Sequence, residues 1–388
     1  MRDSTIALLA ELVSIDSVNP ALVPGGAGEE EIAEAVARSL REAGLDVETA
    51  DAAPGRPNVL GVLEGRSPGR SLILCGHLDT VGVEGMAAPF DPVERDGRLY
   101  GRGAQDMKGG LAAMIGAAQA LARSGLPAGR LIVAAVADEE HASLGADALV
   151  KTWRADAAIV TEPTDLVVAV AHKGFSWVEV ETLGRAAHGS RPAEGEDAIL
   201  RMGRVLSRLE ALDGTLQSRP PHALLGTGSL HASFVQGGRE LSTYPDRCLL
   251  RLERRTVVGE RVETAVEEVE KILEQLRRED PSFRAAARAL FSRPPYETPP
   301  GHPILDLLEE ALETVGRAGG RAGMSYWTDA AILGHAGIPS VVFGPGGEGL
   351  HGLEEYVRVD EVIACRDVLV ELTRSFCSAR RPTGRRRP

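Results

Sequence analysis

Apolar residues in this chain gather into short unbroken runs, and four of those runs stop at residues that carry chemistry. Leu72-Ile73-Leu74-Cys75 leads into Gly76-His77-Leu78-Asp79-Thr80. Leu131-Ile132-Val133-Ala134-Ala135-Val136-Ala137 leads into Asp138-Glu139-Glu140. Ala157-Ala158-Ile159-Val160 leads into Thr161-Glu162-Pro163. Ser340-Val341-Val342-Phe343 leads into Gly344-Pro345-Gly346, with His351 just beyond. Runs of this length predict buried strands. Each therefore delivers a His or Glu to its carboxyl end, which is where open α/β sheets place ligands.

Other stretches carry the helical period. Residues 5–12 predict a short helix, and residues 29–43 an amphipathic one with Ile32, Val36 and Leu40 on one face and Gly44 as its stop. Strands are predicted at 46–49 and 58–63. Residues 106–124 read as one long helix that opens on Asp106-Met107-Lys108-Gly109-Gly110. Helices at 304–315 and 360–375 and a strand at 338–343 complete this part of the chain.

Between these parts the character changes. Residues 175–181 alternate strictly between apolar and polar, 196–212 and 260–278 are helical, and 229–235, 248–257 and 283–291 are strands. This βαββαβ order is that of a ferredoxin-like sandwich, whose open sheet edge is a candidate for pairing with a second copy. The expected organisation is 1–172 and 289–377 as one α/β domain, 173–288 as an inserted α+β domain, and 378–388 as a basic tail without fixed structure. Pro294, Pro295, Pro299 and Pro300 mark the return from the insert.

Length and charge narrow the class. At 388 residues the chain is long for one core and suits two domains. A net charge of -13 argues against a nucleic-acid partner. No apolar run reaches the length of a membrane span and the N-terminus lacks a signal-peptide core, so no membrane partner and a cytoplasmic location are expected. Cys75, Cys248, Cys365 and Cys377 show no close pairing and read as buried thiols rather than a disulfide framework.

His77 and Asp79 are two residues apart and share a face of an extended chain. An imidazole backed by a carboxylate is the arrangement of a metal ligand and its supporting partner. With Asp106 as a fifth acid or imidazole position beside His77, Glu140, Glu162 and His351, a shared metal site is expected. Glu139 and Glu140 are adjacent and cannot do the same job; if one binds metal, the other is free to move a proton.

In this order the motifs resemble those of the acetylornithine deacetylase, succinyl-diaminopimelate desuccinylase and carboxypeptidase G family, and the resemblance spans nearly the whole chain. It implies a zinc-exopeptidase-like three-layer α/β catalytic domain with an inserted ferredoxin-like lid that forms a homodimer. It implies two Zn2+ per chain, with Co2+ or Mn2+ as substitutes. His77 and Glu162 would hold one ion, Glu140 and His351 the other, and Asp106 would bridge them, followed by a cis peptide bond. Asp79 would orient His77, and Glu139 would be the general base. His188, in Gly184-Arg185-Ala186-Ala187-His188-Gly189-Ser190, would reach the active site of a partner subunit. Arg255 would bind a substrate carboxylate, and Gly344 and Gly346 would line the site. Val258 stands where the family usually has proline and Ser242 where many members have asparagine, so the lid contacts to substrate depart from the usual set. The implied activity is hydrolysis of the amide of an N-acyl amino acid. The deacetylase branch is favoured by Tyr326-Trp327-Thr328-Asp329-Ala330-Ala331 and the run to His351. A metallo-carboxypeptidase or dipeptidase and a desuccinylase are the alternatives. An inactive binding homologue would have lost Glu139 or a ligand, and none is lost.

Overall fold

The computed structural model of the chain describes residues 3–379; most of the basic tail, 380–388, lies outside the described residues. Two compact units are formed. One comprises 3–170, 298–322 and 328–379, the other 171–297 and 323–327.

In the first unit the sheet runs in the order Asp46–Ala53, Arg56–Glu64, Arg130–Val136, Ser71–His77, Ala157–Val160, Ser340–Val342, Val168–His172. Its four central strands, from Arg130–Val136 to Ser340–Val342, are mutually parallel. Their carboxyl ends consequently share one edge, and that edge collects the residues after each apolar run. The alternation of the strands divides their side chains between two helical layers. Leu72, Leu74, Leu131, Val133, Ala157, Ile159 and Val341 enter one core with the helices Ser4–Val13, Glu30–Glu42, Gly109–Ser124, Pro303–Thr314 and Val359–Ser378. The helices Leu144–Thr152 and Ala330–His335 lie against the sheet as well, and neither stood out in the sequence because both are short.

The expected single helix over 106–124 divides. The regular helix is Gly109–Ser124; before it, Ala104–Lys108 is a kinked turn with non-helical backbone at Asp106 and Met107, and the Asp106–Met107 peptide is cis. Gly110 is required where the helix meets the sheet: a Cβ there would stand 1.9 Å from the Thr161 carbonyl oxygen. A separate four-stranded antiparallel sheet, in the order Gly347–Glu348, Tyr356–Arg358, Arg98–Tyr100, Val93–Arg95, has strands too short to show a period in the sequence.

The second unit has the strand order Ser229–Gly237, Arg247–Thr256, Gly174–Leu183, Arg284–Arg293, all antiparallel, with Ala198–Gln217 and Thr264–Glu279 packed on one face. This is the ferredoxin-like arrangement. Asp197 caps the first of these helices by accepting the Leu200 N–H at 2.9 Å. The last strand continues past residue 288, and Phe291 packs on Trp177 at 5.8 Å between ring centroids, so the unit extends to 297. Among the described residues no helix is long and apolar enough to cross a membrane.

Candidate metal centre

Three strand ends, carrying His77, Glu139 with Glu140, and Glu162, meet two loops, carrying Asp106 and His351. His77 is the last residue of its strand and is buried. Its Nδ1 lies 2.9 Å from the backbone carbonyl of Asp79. A carbonyl can only accept, so Nδ1 carries a proton and Nε2 is the nitrogen turned toward the cluster. That Nε2 is 3.0 Å from Asp106 Oδ1 and 3.7 Å from Glu162 Oε1. On the other side, His351 Nε2 is 3.3 Å from Asp106 Oδ2 and 3.3 Å from Glu140 Oε2. Asp106 therefore shows one oxygen to each imidazole, the disposition of a ligand shared between two ions.

The donor set fits divalent cations. Donor atoms of His77, Asp106 and Glu140 lie within 4.8 Å of one another, as do those of His77, Glu139 and Glu162. Nitrogen and carboxylate oxygen are the donors zinc takes in hydrolytic sites. Glu140 Oε1 is buried and has no hydrogen-bond partner among the described residues. Burial pushes the Glu140 carboxyl up to about 7, with Asp106 adding to the rise. Glu139 and Glu162 are also held well above the carboxylate range, first by burial and then by neighbouring charges. Burial would raise Asp106 too, but the hydrogen bonds with His351 and His77 outweigh it and pull the group far down. His351 is pushed up to about 10, chiefly by Asp106 and Glu140. Acids crowded this closely repel one another, and cations among them would remove that repulsion.

Asp79 does more than the expected support of His77. Its carboxylate is 3.6 Å from Nδ1, whereas its backbone oxygen makes the short contact. The carboxylate instead accepts the N–H of Glu139 at 3.0 Å and of Glu140 at 3.1 Å, and Asn19 Nδ2 at 2.7 Å. Asn19 also donates to Asp138 at 3.0 Å. Asp138 accepts Arg56 at 2.9 Å, and Arg56 holds Glu29 with Nε at 2.6 Å. Glu29 in turn accepts the Asp138 N–H at 3.2 Å. This buried chain sets the backbone that carries Glu139 and Glu140. Asn19, Asp138, Arg56 and Glu29 were not assigned roles from the sequence.

His188, Arg255, Gly344 and Gly346 complete the expected set. His188 is exposed in the second unit; its Nδ1 is 2.8 Å from Ser190 Oγ, and Gly189 N–H donates to the Ser242 carbonyl at 2.7 Å. Arg255, also in the second unit, donates Nε to Glu253 at 2.6 Å and lies 5.6 Å from the Phe175 ring centroid. The amides of Gly344 and Gly346 are both engaged within the fold. Gly344 N–H donates to Thr164 Oγ1 at 3.2 Å and Gly346 N–H to Glu361 at 2.7 Å. Gly344 is needed for close packing, since a Cβ would stand 2.4 Å from the Glu162 carbonyl oxygen.

A mixed α/β sheet with imidazoles and carboxylates gathered beyond the carboxyl ends of its parallel central strands defines a metal-dependent hydrolase. The chain belongs to Peptidase family M20/M25/M40, which it matches over residues 73–375. It is similar to an acetylornithine deacetylase of Myxococcus xanthus, 34% identical over 344 residues that cover 85% of this chain and 87% of that protein. Among solved structures, a tripeptidase from Staphylococcus aureus shares the fold with a TM-score of 0.82 at 22% identity, covering 97% of this chain and 98% of that one. A dinuclear metal-binding M20 peptidase of Bacillus subtilis shares it with a TM-score of 0.75 at 17% identity, covering 96% and 98%.

Proposed function

We propose that the chain hydrolyses the amide bond of an N-acyl amino acid, using two Zn2+ ions held by His77 and Glu162, by Glu140 and His351, and by Asp106 between them. The observation that carries this reading is the division of Asp106, with Oδ1 3.0 Å from His77 and Oδ2 3.3 Å from His351. Co2+ and Mn2+ accept the same donors. When bound, such ions polarise the scissile carbonyl and lower the pKa of water.

The chain's own groups supply the proton transfers. Glu139 takes a proton from the attacking water as the new C–O bond forms. It then delivers that proton to the nitrogen as the C–N bond breaks, so one carboxylate acts first as base and then as acid. Arg255, a planar cation with its Nε already fixed by Glu253, is suited to a substrate carboxylate.

The lid is the second unit, and a homodimer forms through it. Its edge strand Ser229–Gly237 exposes Phe234 at 46% and Val235 at 56%, which supports that pairing. His188 then serves the partner's active site, where it stabilises the oxyanion. The likeness to an acetylornithine deacetylase supports that branch and a cytoplasmic enzyme of amino-acid metabolism.

The test has two measurements. Protein freed of metal and reconstituted with zinc is analysed for metal content, with two ions per chain expected. It is then assayed against N-acetylornithine, other N-acyl amino acids and a panel of dipeptides. Fewer than one ion per chain would remove the metal reading, and turnover of dipeptides alone would replace the deacylase with a peptidase.

A further inference from the structure

Glu355 lies four residues beyond His351, with a side chain only 1% exposed, and the chemistry above makes no use of it. Its carboxylate oxygens accept four hydrogen bonds. Oε2 accepts Arg102 Nη1 at 2.6 Å and the Gly103 N–H at 3.0 Å; Oε1 accepts the N–H of Gln105 at 2.9 Å and of Asp106 at 3.1 Å. Arg102 reaches back with Nη2 to the Gly352 carbonyl at 2.9 Å. The small sheet creates this meeting. Tyr356 pairs with Tyr100, so Glu355 arrives beside Gly101, whose N–H donates to the Glu355 backbone oxygen at 3.1 Å. One buried ion pair thus ties the loop that ends in Asp106 to the loop that begins with His351.

We infer that Glu355 is a positioning residue for the metal site, working with Arg102 to hold Asp106 in its bridging place against His351. The inference rests on the metal assignment above. The turn it holds is non-helical at Asp106, with φ -119°, and so cannot satisfy its own amides through a regular helical ladder. Glu355 gives three of them a charged acceptor, which makes stronger hydrogen bonds than a neutral one. The loop is then ordered before any ion arrives, and the ion does not have to order it.

The two ions depend on this clamp unequally. The ion at Glu140 and His351 draws two of its three ligands, Asp106 and His351, from the clamped loops. The ion at His77 and Glu162 draws only Asp106 from them. Loosening the clamp therefore weakens the first ion more than the second.

Glu355→Gln tests this directly. A carboxamide keeps the shape but turns an NH2 toward two donors whichever way it is flipped. Zinc is titrated calorimetrically into metal-free protein, and hydrogen exchange is followed across residues 102–107. The expected result is a folded protein that keeps one ion, binds the other about 10–100-fold more weakly, and exchanges faster across that segment. Arg102→Gln leaves the three amide donors in place and should weaken the same ion by less. Binding of both ions by Glu355→Gln at wild-type affinity would overturn the inference. Should that variant fail to fold, the wild-type protein still decides. Protection of 102–107 without metal supports a preformed clamp, and fast exchange that slows only on adding zinc overturns it. Wild-type protein that binds no zinc would instead remove the metal assignment, and the clamp with it; an intact two-ion wild type beside an unaffected Glu355→Gln removes the clamp alone.

Discussion

The carboxylate of Asp79 accepts the backbone N–H of Glu139 at 3.0 Å. With the matching bond to the Glu140 N–H, this makes Asp79 the anchor of the segment carrying both acids, while the Asp79 backbone oxygen orients His77. The two tasks separate by mutation. Asp79→Asn keeps the backbone contact to His77 but sets an NH2 against the Glu139 N–H or, flipped, against the Glu140 and Asn19 donors. The ion at His77 should be retained, while kcat falls by about 10–100-fold, the usual effect of losing a supporting partner. Metal content measured beside kcat checks this. Loss of the His77 ion with an unimpaired rate at saturating zinc would show that the carboxylate serves His77 after all.

Glu139 and Glu140 should fail in different ways. Glu139→Ala is expected to keep both ions and to lose turnover by about 10²–10⁴-fold, with little change in KM, because a proton transfer matters in the transition state. Glu140→Ala should lose one ion and recover partly in excess zinc. Glu139 also stands within reach of His77 and Glu162, so the alternative is concrete: metal loss in Glu139→Ala and retention in Glu140→Ala would reverse the assignments.

The bridging role proposed for Asp106 predicts an asymmetry between ligand variants. Asp106→Ala should reduce occupancy at both positions. His351→Ala should spare the ion at His77, since His77 and Glu162 remain 3.7 Å apart without it. Calorimetric titration resolves the two outcomes, and equal loss in both variants would count against a shared ligand.

A working His188 in trans predicts complementation. Glu139→Ala and His188→Ala homodimers should each be inactive, and mixing them with subunit exchange should restore part of the activity. Light scattering that finds an active monomer would end this reading.

Stability should carry a signature of Lys108. The residue is fully buried, with Nζ donating to the Ile15 carbonyl at 2.8 Å. Burial pushes its ammonium down to about 7, despite the opposing pull of Glu355 and Asp16. An unfolded lysine titrates near 10.4, so between about pH 7 and about pH 10 the unfolded chain binds a proton that the folded chain lacks. Wild-type stability should therefore rise with pH through that window relative to Lys108→Met. Urea midpoints of both proteins across the window measure this, and parallel curves would refute it.

Much of this arrangement is legible in the sequence. The apolar runs before His77, Asp138, Glu162 and the glycine loop are local signals, and each became a central strand. A buried parallel strand has no polar face to break its run, so hydrophobicity alone marks its length and its last residue. The insert was legible for a related reason: Gly174–Leu183 alternates because one face packs on helices and the other does not. The division of the helix at Gly109 was not legible in the residue pattern, because Asp106 and Met107 are compatible with helix and the Glu355 carboxylate that accepts the Gln105 and Asp106 N–H groups comes from far along the chain; only the family resemblance pointed to the cis peptide there.

The sequence by itself determined which residues would stand at strand ends, because that depends on local runs and the direction of the chain. It could not say which supporting groups would meet them. Asn19, Glu29, Arg56 and Asp138 come from four separate stretches, and Arg102 meets Glu355 across a separation of 253 residues. No periodicity links such positions. Only the tertiary fold removes these charges from water together, and once buried each must find a partner of opposite sign or a hydrogen-bond donor. That requirement, set by sheet order and by the pairing of Tyr356 with Tyr100, decided how the acids and imidazoles of the site are held.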